Sequence, residues 1–79
     1  MKIWKLSKLW SEDSTFFTWE KMYADPLDAS KEMLAQYTVR RDIHRDDAII
    51  AEYRHGVCAI LVLKDGRRWT WTIDRLEVA

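Results

Sequence analysis

Apolar and polar residues alternate with a period of two over the first quarter of the chain. In residues 3–10 (IWKLSKLW), the two tryptophans share one face with a leucine, while a lysine and a serine lie on the other. This spacing favours a strand over its alternative, a helix. The polar segment 11–14 separates it from residues 16–23, which alternate in the same way. Together these segments predict a β-hairpin.

The clearest helical pattern follows in residues 25–38. Asp25 stands directly before Pro26, an order typical of a helix start, and acidic residues follow in the first turns. The apolar stripe predicted for this helix consists of Leu27, Ser30, Met33, Leu34 and Tyr37, and the residues predicted to point away from it are Lys31, Glu32 and Gln36. We expect the helix to end near Thr38, because Val39 leaves the stripe and adjacent β-branched residues weaken helical propensity.

Charged residues then dominate positions 39–47, which predicts an exposed connector. Residues 48–53 alternate again and favour a strand, with a second short helix over 46–54 as the alternative. His55 and Gly56 predict a turn.

The last third of the chain has the pattern of a second hairpin. Residues 57–63 (VCAILVL) are apolar on both faces, which predicts a central strand covered on two sides. The turn 64–67 has Asp-Gly at its centre, a strong hairpin signal. In the returning strand the alternation changes parity after Asp74, which predicts a bulge near Asp74 and Arg75.

The resulting fold class is α+β, with ββαβββ order and an antiparallel sheet that carries one helix on a face. At 79 residues the chain has material for a single core, so we expect one domain over 1–79.

Composition narrows the functional classes. Apolar residues make up 48% of the chain and charged residues 33%, which argues against a disordered chain and against a membrane span. No export signal is visible, and a single cysteine, Cys58, excludes an internal disulfide or a multi-cysteine zinc site. Two glycines cannot form a glycine-rich phosphate loop. We expect a cytoplasmic protein without cofactor or metal, in which Cys58 is a buried, inert thiol.

Candidate chemistry is confined to the segment 40–47 (RRDIHRDD). There His44 could act as a general acid or base, the aspartates could hold a metal, and the arginines could clamp a phosphate. The spacing matches no metal or nuclease motif, and interleaved charges are typical of a solvated surface, which is the favoured interpretation.

A second candidate is the pair Trp69 and Trp71. Two rings on one strand face, next to Arg67 and Arg68, could stack single-stranded bases. Core packing is the favoured alternative, because Ile73 shares their face. The balance of thirteen basic and thirteen acidic residues also removes net attraction for nucleic acid.

The aromatic content points to a partner. Each large ring can bury roughly 150–250 Å², and a domain of this size hides only about 60% of its unfolded surface. Some rings should therefore stay exposed, as in binding surfaces. We expect a non-enzymatic protein-binding module, and the residues predicted to contact its partner are Arg40, Arg41, Arg45, Asp46, Asp47, Trp10, Trp69 and Trp71.

The overall profile is similar in type, without any shared motif, to small accessory proteins of phages and mobile elements. That class includes inhibitors of host defence such as anti-CRISPR proteins, which implies steric occlusion of a host complex. Two alternatives stay open: a single-stranded nucleic-acid binder that uses arginines and tryptophans, and a small nuclease or toxin centred on His44. A homodimer formed through the uncovered sheet face is compatible with each of them.

Overall fold

The computed structural model describes residues 1–78, which form one antiparallel sheet with a helix on one face. The elements are β1 (Lys2–Glu12), β2 (Thr15–Tyr23), α1 (Pro26–Ile43), β3 (Ala48–Arg54), β4 (Cys58–Leu63) and β5 (Arg68–Glu77). The predicted α+β class and ββαβββ order are confirmed, and residues 48–54 form a strand rather than the alternative helix.

The spatial order of the strands is β2-β1-β5-β4-β3, so β5 occupies the centre of the sheet. The sequence predicts that residues 57–63 form a central strand covered on two sides. That segment, β4, lies second from the edge, and α1 covers only one of its faces. On the other face Val62 is nevertheless only 8% exposed, with Ile50 and Arg68 beside it on the neighbouring strands.

All three hairpin turns contain left-handed backbone conformations, and in the turn between β3 and β4 the residue is Gly56, with φ of 72°. Asp13 and Ser14 join β1 to β2 with φ of 47° and 67°, the signs that a two-residue type I′ turn requires. The predicted turn between β4 and β5 is also present. There Gly66 has φ of +93°, and its N–H donates to the carbonyl of Leu63 at 3.0 Å. These turns set the register of the three hairpins.

α1 begins as predicted but ends later. The Asp25 carboxylate caps it by accepting the backbone N–H of Leu27 at 2.8 Å. The predicted end near Thr38 is wrong, because the helix continues to Ile43. The weak helical propensity of β-branched residues costs less than ~1 kcal/mol per residue. Arg40 and Arg41 in the last turn favour the negative end of the helix dipole, and His44, which donates its backbone N–H to the Arg40 carbonyl, holds the helix end against the sheet by stacking on Trp69.

The buried stripe of α1 is rotated relative to the predicted one. Ser30, Met33 and Tyr37 are buried as expected, but Leu27 and Leu34 are half exposed. Ala29 is fully buried in their place. Gln36, predicted to point away, faces the sheet and accepts a hydrogen bond from a core indole.

The core lies between α1 and the middle three strands. Its large, fully buried side chains are Trp69, Trp71, Leu6, Met33, Leu61 and Leu63. The ring of Tyr37 meets Trp71 edge-on, with centroids 6.0 Å apart and planes at 88°. This geometry is the one that aromatic quadrupoles favour.

The predicted bulge near Asp74 and Arg75 is wrong. β5 pairs with β1 without a register shift from Arg68 to Glu77, so Leu76 simply follows the alternation onto the face opposite the helix, beside Ile3. The only register shift among the paired strands of residues 1–78 lies in β3, between Ala48 and Ile50.

α1 is too polar to cross a bilayer, and residues 1–78 include no other helix that could do so.

Candidate functional site

The face of the sheet opposite α1 has no covering layer in the described chain. We call it the open face. The register places Leu9, Thr70 and Ile60 in one row across the three adjacent strands β1, β5 and β4. The further open-face residues with neutral side chains are Ile3, Ser7, Ser11, Phe16, Thr18, Met22, Ile50, Cys58, Val62, Thr72 and Leu76.

Apolar side chains on the open face reach solvent. Phe16 is 72% exposed, and Met22 and Leu9 are 47% and 44% exposed. A shallow depression of about 280 Å³ lies beside Leu9, where its lining includes the small side chains of Ser7 and Thr70 together with Glu20. The face therefore combines protruding apolar groups with a concave, largely neutral floor.

Charged side chains of the open face flank this neutral centre. Lys5 and Glu20 approach to 3.9 Å on one side, and Glu52 and Arg54 lie on the edge strand β3. On β5, Arg68 and Asp74 lie before and after the two threonines of the open face. The row formed by Leu9, Thr70 and Ile60 on β1, β5 and β4 therefore has no charged side chain, and the charged residues lie around it.

The predicted contact residues of the connector lie elsewhere. Arg40 and Arg41 belong to the last turns of α1, on the opposite side of the sheet, and pack over the rings of Trp69 and Tyr37 at 5.4 and 5.6 Å. Arg45 forms a 3.7 Å ion pair with Asp42, and Asp46 and Asp47 are exposed in the turn after α1. The structure does not bring these residues to the open face.

His44 is held against the core. Its imidazole stacks on Trp69 with ring centroids 5.0 Å apart, and Nε2 is buried without a hydrogen-bond partner. In this position the nitrogen cannot reach a substrate. Moreover, no group of three or more potential metal ligands occurs among residues 1–78. The geometry gives no support to chemistry centred on His44.

Trp69 and Trp71 are 1% and 0% exposed. Both belong to the core, the favoured interpretation of their spacing, and neither ring can reach a partner in this fold. Of the two arginines near them, Arg67 pairs with Asp65 at 2.8 Å, and Arg68 lies on the open face. The stacking platform considered for this strand is therefore not formed.

Trp10 lies on the helix side of β1 and is partly buried. Its ring stacks on that of Phe17, with centroids 5.4 Å apart and planes at 19°. Lys8, two residues earlier on the same face, places Nζ 4.6 Å from the Trp10 ring centroid. Of these residues, only Trp10 was among the predicted contacts.

Phe16, Phe17 and Lys8 are the residues that sequence reasoning missed. A signal for Lys8 was available, because the period-two pattern of β1 places a lysine on the otherwise apolar face. The same pattern offered a signal for Phe16, because it places this ring with Thr18 and Glu20 on the otherwise polar face of β2.

Cys58 is a partly buried free thiol on the open face rather than a fully buried one.

Comparison with known proteins adds no relative: no family model, curated protein or solved structure matches this chain.

Proposed function

We propose that the protein is a non-enzymatic protein-binding module and that the open face is its binding surface. The observation that carries the proposal is the layout of this face, which has an uncovered neutral centre with protruding apolar side chains and charges around it. Protein interfaces share this layout, since charged residues are depleted at their centres and polar groups form their rims.

The size of the face is adequate for such a role. The molecule measures 43 × 23 × 14 Å, and the sheet spans its broad side. A standard interface buries about 800 Å² on each partner, which the broad side can supply. Phe16 is the strongest single anchor, because an aromatic side chain that protrudes from the sheet can fill a pocket on a partner.

The partner that fits is a protein with a rather flat, mainly apolar surface, since the sheet offers no deep cleft at its centre. Binding would hide that surface from other molecules. This is the steric mechanism expected of an inhibitor of a host complex, and an anti-CRISPR-like role remains a prediction within the broader proposal. A second copy of the chain is the alternative occupant.

The test begins with light scattering coupled to size exclusion, which shows whether the second copy is the occupant. The tagged protein is then incubated with host lysate treated with nuclease, and retained proteins are compared between wild type and Phe16→Ser. We expect Phe16→Ser to abolish retention or dimerisation. Val39→Ser, which changes an exposed apolar residue on the helix side, should have no effect.

Salt gives a second readout. Binding through a neutral centre should persist in high salt, because it depends on apolar burial rather than on ion pairs. The proposal would be overturned if wild type and Phe16→Ser retained the same proteins equally well. It would also be overturned if wild type lost its bound proteins in high salt.

A further inference from the structure

We propose that Lys8, Arg40 and the stacked pair Trp10–Phe17 form a second binding site, on the helix side of the sheet, for a nucleotide unit of single-stranded nucleic acid. The two cations would contact a phosphate, and the outer ring of the stack would contact a base. This site is separate from the open face and does not depend on the function proposed for that face.

In the described part of the chain, the ammonium of Lys8 and the guanidinium of Arg40 lie close together without a carboxylate partner. Lys8 lies on the helix-facing side of β1, with Trp19 and Trp71 opposite it on the neighbouring strands. Burial lowers the pKa of its ammonium, and the nearby positive charge of Arg40 lowers it further. Within residues 1–78 neither side chain forms an ion pair. The rings that these cations cover, Trp10 and Trp69, are paired across β1 and β5, and two neighbouring cations without a carboxylate favour an anion between them.

Aromatic rings lie directly beside these cations. Lys8 Nζ lies 4.6 Å from the centroid of Trp10, and Arg40 Cζ lies 5.4 Å from the centroid of Trp69. Phe17 forms the outer side of the Trp10 stack and is 40% exposed. Aromatic faces next to a positive charge are the combination that holds single strands, in which bases stack and phosphates pair.

Two acidic residues on the helix side of the molecule lie at the other end of α1 from Arg40. Burial raises the pKa of Tyr23, and the carboxylates of Glu32 and Asp28 raise it further. They belong to the first half of α1, whereas Arg40 belongs to its last turns. These two carboxylates therefore lie away from Arg40, and Asp42, the acidic residue in the last turns of α1, is paired with Arg41 and Arg45.

The test uses fluorescence anisotropy with a labelled oligothymidylate of about 12 nucleotides, a length suited to a site of this type. Unlabelled thymidine monophosphate and inorganic phosphate serve as competitors. We expect binding to fall at least tenfold in Lys8→Met and in Phe17→Ala. Lys5→Met is the matched control, because Lys5 lies on the same strand but on the open face, and it should bind as wild type.

Two phosphate contacts also predict a shallow salt dependence. For a single strand the slope of log K against log salt is about −0.7 per contact, so affinity should fall roughly sevenfold between 50 and 200 mM salt. Melting curves of each variant show whether a loss of binding reflects unfolding. A folded Lys8→Met that loses affinity supports the site.

Several results would overturn the inference. They are an absence of binding by wild type, equal affinity of Lys8→Met and Lys5→Met, and competition by inorganic phosphate as strong as that by the oligonucleotide. If the monophosphate competes as well as the oligonucleotide does, the ligand is a free nucleotide and not a strand. Phe16→Ser should bind the oligonucleotide normally, so failure here and failure of the open-face proposal are distinguishable.

Discussion

Trp71 donates its indole N–H to Oε1 of Gln36 across 3.0 Å, which joins the central strand to α1 inside the core. The bond explains why a glutamine, rather than an apolar residue, occupies this position of the helix. A buried N–H that lacks a partner costs about 1–3 kcal/mol, whereas a satisfied one costs little.

Replacing Gln36 with Leu should therefore lower the free energy of unfolding by about 1–3 kcal/mol, because it leaves the indole N–H of Trp71 unsatisfied. Urea titration followed by tryptophan fluorescence or circular dichroism measures this change. The control is the same substitution in a Trp71→Phe background, where no N–H is left unpaired. A loss of equal size in both backgrounds would show that the hydrogen bond contributes nothing.

Lys8 should make stability depend on pH in the alkaline range. Its pKa is lowered in the folded state, first by burial and then by Arg40, so the unfolded chain binds the proton more tightly. The free energy of unfolding should rise with pH between the lowered pKa and the usual lysine value of about 10.4.

Lys8→Met should remove this rise and should melt above wild type at pH 7, because the partly desolvated charge is absent. Thermal melts of both proteins between pH 7 and 10 check the prediction, with Lys5→Met as the comparison. A Lys8→Met protein that melts below wild type at neutral pH would contradict it.

Gly66 should be the least replaceable residue of the turn between β4 and β5. Its φ of +93° is one that side chains rarely adopt, although a Cβ would meet no atom within 4 Å. Gly66→Ala should therefore cost about 1–2 kcal/mol of stability through backbone strain alone. Gly66→Asn should cost less, because asparagine tolerates left-handed conformations better. Equal losses from both substitutions, measured by urea titration, would refute this explanation.

Asp65, in the same turn, should link stability to acid pH. Hydrogen bonds from the backbone N–H and side chain of Arg67 lower the pKa of its carboxyl group. The stabilisation is present above the unfolded-state pKa of about 3.9 and disappears as pH falls through the lowered folded-state value. Asp65→Asn should reduce the steepness of this loss below pH 4, and an unchanged acid melting profile would argue against it.

Local signals predicted much of this fold. The Asp25–Pro26 start of α1, the period-two strands and the Asp-Gly hairpin all depend on neighbours in sequence, and the structure contains each of them. The end of α1 depends instead on His44 reaching Trp69, a contact between residues far apart in sequence. The position of Ala29 in the buried stripe likewise depends on how closely the helix approaches the sheet.

The candidate surfaces were harder to predict for the same reason. Whether a tryptophan is buried depends on strand order, and the sequence does not reveal that β5 is central. Trp69 and Trp71 are buried because they lie on that strand beneath α1, whereas Trp10 lies one strand farther out and keeps partial exposure. The excess of aromatic surface was predictable, and the alternation places Phe16 on the polar face of β2, but the exposure of Phe17 depends on β2 being an edge strand.

Hydroxyl-radical footprinting of the protein, free and bound to the partner retained from lysate, tests most directly whether the open face is the binding surface. We expect oxidation of Phe16 and Met22 to fall sharply in the complex, while oxidation of Leu34 on the helix side stays unchanged. Protection of Leu34 with Phe16 and Met22 still fully oxidised would contradict it.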